Sequence, residues 1–424
     1  MASKYSVPRG TYDILPDKSY KWEFIRDTFK EVSKSFSFKE IVTPIFERTE
    51  VFERSVGDSS DIVQKEMYRF QDKKGRTFAL RPEGTAPVVR SFVENSLGMS
   101  GGNSKLYYMG PMFRYDRPQK GRYRQFYQYG IENIGSDNPF IDAEVIAFGY
   151  AFLTKLGLKN FELEINSIGC STCSTDYDKA LVEYFKPKLD KMCSDCNNRI
   201  NKNPKRLLDC KVPSCKEIAK DAPVMLEYLD EDCKTHFARV QEYLNEMGIK
   251  YSVNPRIVRG LDYYNKTAFE FLDNNLGAQN ALIGGGRYNG LVEQFGGKDT
   301  PGIGFAGGFE RLILSLETAG ISFGDGVKPD VCFVCLGEVA KQKAAKIIYD
   351  LREGGIAVDY NPDKDSMKAQ MKAADKSKAK IVLILGDDEI NKNIVILKEM
   401  ESGEQQEIIS KELVTILQKK LSLI

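Results

Sequence analysis

The stretch from Leu106 to Glu132, LYYMGPMFRYDRPQKGRYRQFYQYGIE, constrains this chain more than any other. Two arms alternate in period two about a loop holding Pro118 and Gly121, the pattern of a β-hairpin. On the first arm Tyr108, Gly110, Met112, Arg114 and Asp116 share a face, and Tyr107, Met109, Pro111, Phe113 and Tyr115 share the other. On the second, Arg124, Phe126, Gln128, Gly130 and Glu132 lie opposite Tyr127, Tyr129 and Ile131. One face is therefore expected in a core, and the other forms a polar surface.

That surface combines guanidiniums, a carboxylate, an amide and a ring, and the loop adds Arg117, Lys120 and Arg122. Planar guanidinium forks match phosphate oxygens, and an aromatic ring can stack on a base. The set describes a nucleotide bent over a sheet. It equally describes a hairpin whose arginines are merely solvated, so the rest of the chain must decide.

The length of 424 residues suits two or three domains, and 42% hydrophobic with 29% charged residues suits a soluble globular chain. No apolar run reaches the roughly 20 residues of a membrane span, and the polar start MASKYSVPRGTYD does not read as a signal peptide. A cytoplasmic location without membrane association is expected. The net charge of +1 leaves any nucleic-acid binding to local patches. The single histidine, His236, excludes an HExxH metalloprotease, a Ser-His-Asp triad and multi-histidine metal sites. It lies in an amphipathic helical pattern and is expected on the helix surface.

Taken in order, the chain opens with a helix expected from about Asp17 to Phe36, with Asp17 as N-cap. FKEIVTPIFERTEVF then reads as a strand broken at Pro44, at a sheet edge or where another chain meets it. A hairpin of Met67–Gln71 and Thr77–Arg81 leads to a helix opening near Thr85. Glu83 falls in that strand-to-helix joint, where it can receive an ammonium group or cap the helix. A helix from about Asp142 and the strand FELEINSIG follow.

Six cysteines then cluster as Cys170-x2-Cys173, Cys193-x2-Cys196 and Cys210-x4-Cys215. The separation of the first two pairs fits a CxxC…CxxC structural zinc template, and a reducing compartment disfavours disulfides. Reduced structural cysteines in a helical insertion are the alternative, and spacing alone does not choose four ligands from six.

Beyond the insertion, Arg259 precedes Gly260, whose lack of a side chain permits close approach to a ligand. ALIGGGRYNGLVEQFGG and PGIGFAGGFERLILSLETAG follow, the latter ending in a helix with Arg311. Gly302-x-Gly304-x-x-Gly307 formally matches a dinucleotide fingerprint, but a polar turn precedes it instead of a strand. The glycines are read instead as lowering a strand so that adenine or ribose can lie on it. Past Pro329 the pattern strand, helix, strand, helix, strand, two short strands and helix describes an independent α/β domain with a parallel or mixed sheet. Cys332 and Cys335 on its first strand point to opposite faces of its core.

With these residues together, the chain resembles the histidyl-tRNA synthetases, a family of class II aminoacyl-tRNA synthetases, along nearly its whole length. FKEIVTPIFE looks like the first class motif, Phe113-Arg114 with Arg122 and Phe126 like the second, and GIGFAGGFERL like the third. RGLDYYNKTAFEF (259–271) and GGGRYNGLVEQFGG (284–297) are similar to two peptides peculiar to the histidine enzymes.

The resemblance implies an α+β fold, an antiparallel catalytic sheet flanked by helices. It divides the chain into core residues 1–169, a cysteine-rich helical insertion at 170–251, core residues 252–327 and an anticodon-binding α/β domain at 328–424. It implies a homodimer built on the first motif, with L-histidine, ATP accompanied by Mg2+, and histidine tRNA as partners. The implied reaction is ATP-dependent histidine–tRNA ligation through a histidyl-adenylate. Carried over, Glu83, Thr85 and Gln128 would hold the α-amino group, and Glu132 with Tyr263 and Tyr264 would form the imidazole pocket. Arg114 and Arg259 would flank the α-phosphate and substrate carboxylate as the catalytic pair. Phe126 would stack on adenine beside Asp116, and Arg122 and Arg311 would bind the outer phosphates. Fixed guanidiniums stabilise the charge that gathers at phosphorus without reorganising, so no nucleophilic side chain is required.

Two departures are visible. Asp116 stands where the class usually carries glutamate, and the insertion is richer in cysteine than the common version. A silent paralogue, the histidine-sensing regulatory subunit of ATP phosphoribosyltransferase, resembles the same core but lacks the C-terminal domain and degrades the second arginine peptide. Arg259 and residues 330–424 are both present here, which favours the ligase. A generic nucleic-acid-binding protein would show no histidine dependence.

Overall fold

The computed structural model describes residues 5–56, 60, 62–99, 101–210, 212–257, 261, 263–277, 280–324, 326 and 328–422. They divide into two units, Met1–Phe323 and Gly324–Ile424.

The first unit is built on an eight-stranded sheet, in the order Lys39–Glu40, Ser104–Phe113, Gln125–Ile134, Gly302–Gly308, Ala281–Arg287, Asn265–Leu272, Glu162–Ser167 and Ser252–Val253. The six central strands are antiparallel, and only the short edge strands pair in parallel. The expected hairpin is present, with Met109 opposite Tyr129 and Phe113 opposite Gln125. Its apolar face behaves as the alternation demands. Tyr107, Tyr129 and Ile131 join Phe269, Phe271, Ile303 and Phe305 under the helices Pro16–Ser35 and Pro139–Lys155, which contribute Phe29, Phe148 and Phe152. Phe29 and Phe152 meet edge to face at 4.9 Å, a contact that orients as well as buries.

Several boundaries differ from expectation for local reasons. Pro16 takes the first helical position, so Leu15 rather than Asp17 stands at the cap and Asp17 falls in the first turn. A proline there forfeits an N–H that has no helical partner anyway. The later helix opens at Pro139, with Asn138 accepting from the Phe140 N–H at 2.9 Å. The segment around Pro44 serves two sheets: Lys39–Glu40 edges the large one, and Phe46–Arg48 pairs with Thr77–Leu80 in a three-stranded sheet completed by Arg69–Gln71.

Residues 170–251 carry the helices Ser171–Phe185, Ser194–Arg199, Pro213–Ala219 and Glu231–Glu246 with short 3-10 turns. They enclose a small core of Tyr177, Leu181, Phe185, Leu207, Met225 and buried cysteines. Among the described residues no helix is long and apolar enough to cross a membrane.

The second unit has a mixed five-stranded sheet, ordered Val358–Tyr360, Val331–Cys335, Ile381–Leu385, Ile394–Glu399 and Gln405–Ile409. The first three strands are parallel and the last two antiparallel. Cys335 joins the core on one face and Cys332 that on the other, as a separation of three along a strand requires.

Candidate active site

The polar face of the large sheet carries a cluster of buried polar side chains centred on Glu132. This carboxyl is completely buried and is held from two sides, by the Thr85 hydroxyl on Oε1 at 2.7 Å and the Tyr288 hydroxyl on Oε2 at 2.7 Å. Burial drives its pKa up to about 8, against those two hydrogen bonds and with a further push from Glu83. A carboxyl so raised is protonated at neutral pH and can share its proton with a basic ligand atom.

Glu83 stands beside it at the mouth of the helix Thr85–Glu94. Its Oε2 accepts from the Thr85 N–H at 2.6 Å and its Oε1 from the Ala86 N–H at 2.9 Å, so it does cap that helix. Burial raises its pKa while those two N–H groups and the Arg114 charge pull it down. Gln128 is buried on the same sheet face, and its Oε1 has no hydrogen-bond partner, which leaves an acceptor for a ligand donor. Tyr263 is buried in a cluster with Val89, Phe92 and Tyr288, and its ring lies 4.6 Å from that of Tyr264.

Next to these acids the chain gathers guanidiniums. Arg114 donates from Nε to the Pro82 carbonyl at 2.8 Å, and its Cζ lies 5.3 Å from the Phe126 ring centre. Arg311 donates to the Ala281 carbonyl at 2.8 Å. Arg122 forms an ion pair with Asp116, whose Oδ1 also accepts from the Arg117 N–H at 2.6 Å. Burial lowers the pKa of both Arg114 and Arg311, and the charge of Arg122 depresses each further. Three cations that repel one another across a shared space are arranged for a polyanion. Arg259, the expected second catalytic guanidinium, lies outside the described residues.

The glycine strand does something other than expected. A Cβ on Gly304 would lie 1.9 Å from Glu132 Oε2 and 2.3 Å from the Ile131 carbonyl, so that glycine makes room for the pocket's own acid. Gly302 likewise yields to the Tyr288 ring. Only Gly308, with no atom within 4 Å of its would-be Cβ, leaves the open surface anticipated for a ligand.

Tyr288 was missed as a site residue, although the period of GGGRY sets Gly284, Gly286 and Tyr288 on one face. His236, expected on the surface, is instead only 7% exposed, with Nε2 3.1 Å from Asp142 Oδ1. Asp142 is itself completely buried and forms an ion pair with the equally buried Arg287. Burial pushes the Asp142 pKa up, but Arg287 and the His236 hydrogen bond outweigh it and hold the group at about 2. Helical periodicity placed His236 on a polar stripe; its carboxylate partner came from a distant helix.

The cysteines divide differently from the CxxC…CxxC template. Cys193, Cys196, Cys210 and Cys215 form one cluster, and Cys170, Cys173, Cys233 and Asp230 form another, each with its ligand atoms within 4.8 Å of one another. The template pair Cys170/Cys173 is thus not joined to Cys193/Cys196, and Cys233 was not among the expected ligands.

This arrangement can be set beside known proteins. The family model described as histidyl-tRNA synthetase matches residues 10–312, and that of an anticodon binding domain matches 330–420. The chain belongs to the histidyl-tRNA synthetase family. A curated histidine–tRNA ligase of Bacillus licheniformis is 50% identical over 407 residues, covering 95% of this chain and 96% of that one. Another, from Halothermothrix orenii, is 50% identical over 413 residues, with 97% and 99% covered. The crystal structure of apo histidyl-tRNA synthetase from S. aureus superposes with a TM-score of 0.84 at 40% identity, over 97% of this chain and 99% of that one. Membership in the histidyl-tRNA synthetase family agrees with the antiparallel sheet and the second, mixed-sheet unit described above.

Proposed function

We infer that this chain is an ATP-dependent histidine–tRNA ligase: it activates L-histidine to histidyl-adenylate, releases pyrophosphate, and transfers histidyl to the 3′ end of histidine tRNA. The observation that carries this reading is the juxtaposition of two unlike sites on one sheet face. One is a buried carboxyl gripped by Thr85 and Tyr288. The other is the guanidinium group of Arg114, Arg122 and Arg311.

In this reading Glu132 takes the imidazole, with Tyr264 and Tyr288 around it, and Glu83, Thr85 and Gln128 hold the α-ammonium. A pocket built to pair both ring nitrogens rejects side chains that lack them, because its buried groups would go unpaired. Arg114, with Arg259 opposite, stabilises the charge that develops when the carboxylate attacks the α-phosphate. Arg122 exchanges Asp116 for the outer phosphates when ATP enters, Arg311 joins it, and Phe126 stacks on adenine. ATP arrives with Mg2+, which neutralises phosphate charge. Residues 170–251 form an insertion that carries structural zinc, a fit supported by its two clusters of thiolate donors. The second unit reads the anticodon.

The enzyme works in the cytoplasm as a homodimer. Val42 is 80% exposed and Ile45 and Phe46 are about half exposed on the extended segment of the first motif that leads into the strand Phe46–Arg48, an apolar surface that a second copy would cover. Light scattering should return twice the mass of the chain.

The deciding assay is histidine-dependent exchange of labelled pyrophosphate into ATP without tRNA. Strong exchange that collapses in Arg259→Ala is expected. Histidine binding without any exchange would refute the ligase and favour the regulatory reading.

A further inference from the structure

The cysteine clusters differ in donors and in place, and this difference carries more than the presence of zinc. We propose that the insertion holds two zinc ions with separate roles: an all-thiolate ion at Cys193, Cys196, Cys210 and Cys215 that builds the insertion, and a mixed ion at Cys170, Cys173, Cys233 and Asp230 that clasps its two ends to the catalytic body. This rests on the zinc reading above and assigns its number, ligands and positions.

The geometry of the first site is that of one ion. A zinc with Zn–S bonds of about 2.3 Å at the centre of a tetrahedron sets its sulfurs about 3.8 Å apart. Cys193 Sγ and Cys210 Sγ stand 3.7 Å apart, and all four sulfurs lie within 4.8 Å of one another. Cys193 stands at the N-cap of the short helix Ser194–Arg199 and Cys196 lies in its first turn, while Cys215 lies in the first turn of the helix Pro213–Ala219. The Cys193 N–H donates to Cys215 Sγ at 3.2 Å, the kind of backbone bond that orients a thiolate ligand. Cys196, Cys210 and Cys215 are buried, so solvent does not satisfy them.

The second site is built by two helices in the same way. Cys170 is the N-cap of Ser171–Phe185 with Cys173 three residues on, and Asp230 is the N-cap of Glu231–Glu246 with Cys233 three residues on. A separation of three puts both donors of each helix on one face, so two helix starts present four ligands to one point. Asp230 divides its oxygens: Oδ1 accepts from the Cys233 N–H at 2.8 Å, and Oδ2 lies 3.0 Å from Cys170 Sγ. The Asp230 N–H donates in turn to Cys173 Sγ at 3.2 Å, and the Cys170 and Cys173 sulfurs are 3.5 Å apart.

What the second ion would join is visible in the chain around it. Only Ile168 and Gly169 separate Cys170 from the sheet strand Glu162–Ser167. There the Ile168 N–H donates to the Lys266 carbonyl and the Lys266 N–H to the Gly169 carbonyl, both at 2.7 Å. Gly169, at φ +68°, would set a Cβ 2.7 Å from Cys173 Cβ, so a side chain there would push the helix off the strand. Lys266 begins two residues after Tyr264 of the pocket. The other ligand pair opens the helix whose His236 reaches Asp142. Three of the ion's four ligands, 170, 173 and 233, are cysteines, and they come from the first and the last helix of the insertion. The ion therefore closes the loop that the insertion makes in the chain, and it is tied through Gly169 and Lys266 to the backbone two residues from Tyr264.

The test counts zinc in the full chain by mass spectrometry after gel filtration, with folding checked by circular dichroism. About two zinc ions per chain are expected. Asp230→Ala and Cys233→Ser should each reduce the count to about one, and Cys196→Ser should do the same by emptying the other site. Asp230→Cys should keep two, and in the cobalt-substituted protein it should strengthen the thiolate-to-cobalt absorption by about one-seventh, as an eighth thiolate joins seven. Asp230→Ala should also raise KM for histidine in pyrophosphate exchange several-fold with a smaller change in kcat, an effect absent from Cys215→Ser. One zinc per chain that Asp230→Ala leaves in place would overturn the second site and spare the zinc reading. No zinc in the native chain would overturn both, and iron in its stead would overturn the assignment of the metal.

Discussion

If Glu132 takes the imidazole as proposed, its carboxyl makes a sharp demand on histidine binding. Its carboxyl has a pKa of about 8 in the free protein, and the free ligand's imidazole titrates near 6.5. Between those values the carboxyl carries a proton and the imidazole does not, so the complex, in which one proton is shared between them, forms without taking up or releasing any. Above pH 8 the free protein loses that proton and binding must recover it. Affinity relative to pH 7 then falls about twofold at pH 8 and roughly tenfold at pH 9. Below pH 6.5 the free ligand gains a proton that binding must shed, which costs about threefold at pH 6 relative to pH 7.

Glu132→Gln keeps the shape and can still pair with the Thr85 and Tyr288 hydroxyls, but it cannot titrate. At pH 7 it should weaken histidine binding by the worth of a charge-assisted hydrogen bond, about 1.5–3 kcal/mol or roughly 10–150-fold. More tellingly, the alkaline loss due to this group should vanish. The ligand's own α-ammonium also titrates at high pH, but equally for both proteins, so their difference isolates Glu132. Calorimetric titration from pH 6 to 9.5, in buffers of unlike ionisation enthalpy, reads affinity and proton uptake together. Parallel affinity curves for the native protein and the variant between pH 7 and 9 would refute the reasoning.

The same carboxyl should mark stability. A folded pKa raised from 4.5 to about 8 contributes stability present below 4.5 and lost as pH rises through 8, so Glu132→Gln should gain on the native chain by at most about 5 kcal/mol by pH 8; melting temperatures of the ligand-free proteins across that window check it. Arg287→Met strands the buried Asp142 charge and should cost about 3–5 kcal/mol, recovered in part by adding Asp142→Leu, as read from thermal unfolding. The Asp142 contribution, with its pKa held at about 2 against 3.8, is present above pH 3.8 and lost as pH falls through 2. Gly304→Ala drives a methyl into Glu132 and the Ile131 carbonyl, and it should cost about 1–3 kcal/mol with at least a tenfold rise in KM for histidine. Ser366→Ala removes the cap on the Ala369 N–H and should lower the stability of the second unit by about 1 kcal/mol while leaving pyrophosphate exchange unchanged.

Legibility followed the range of the interactions involved. The alternation of Leu106–Glu132 assigned one face to the core, and Tyr107, Tyr129 and Ile131 lie there, because a strand's period is a property of the backbone. The alternation of strands and helices in the second unit was readable for the same reason, and its central strand is Ile381–Leu385. Glu83 was placed correctly in its joint, though only the folded structure assigns its two oxygens to the N–H groups of Thr85 and Ala86.

What the sequence by itself determined is therefore the set of local elements, the family motifs they carry, and the chemistry those residue types permit. Tertiary structure alone decided which of them meet. Three residues of spacing place two cysteines on one helical face, but the packing of two helices selects Asp230 and Cys233 as partners for Cys170 and Cys173. Likewise His236 meets Asp142, and Tyr288 meets Glu132, across 94 and 156 residues of chain. Such pairs carry no periodic signal, because burial and charge act through space and are fixed only when the core closes.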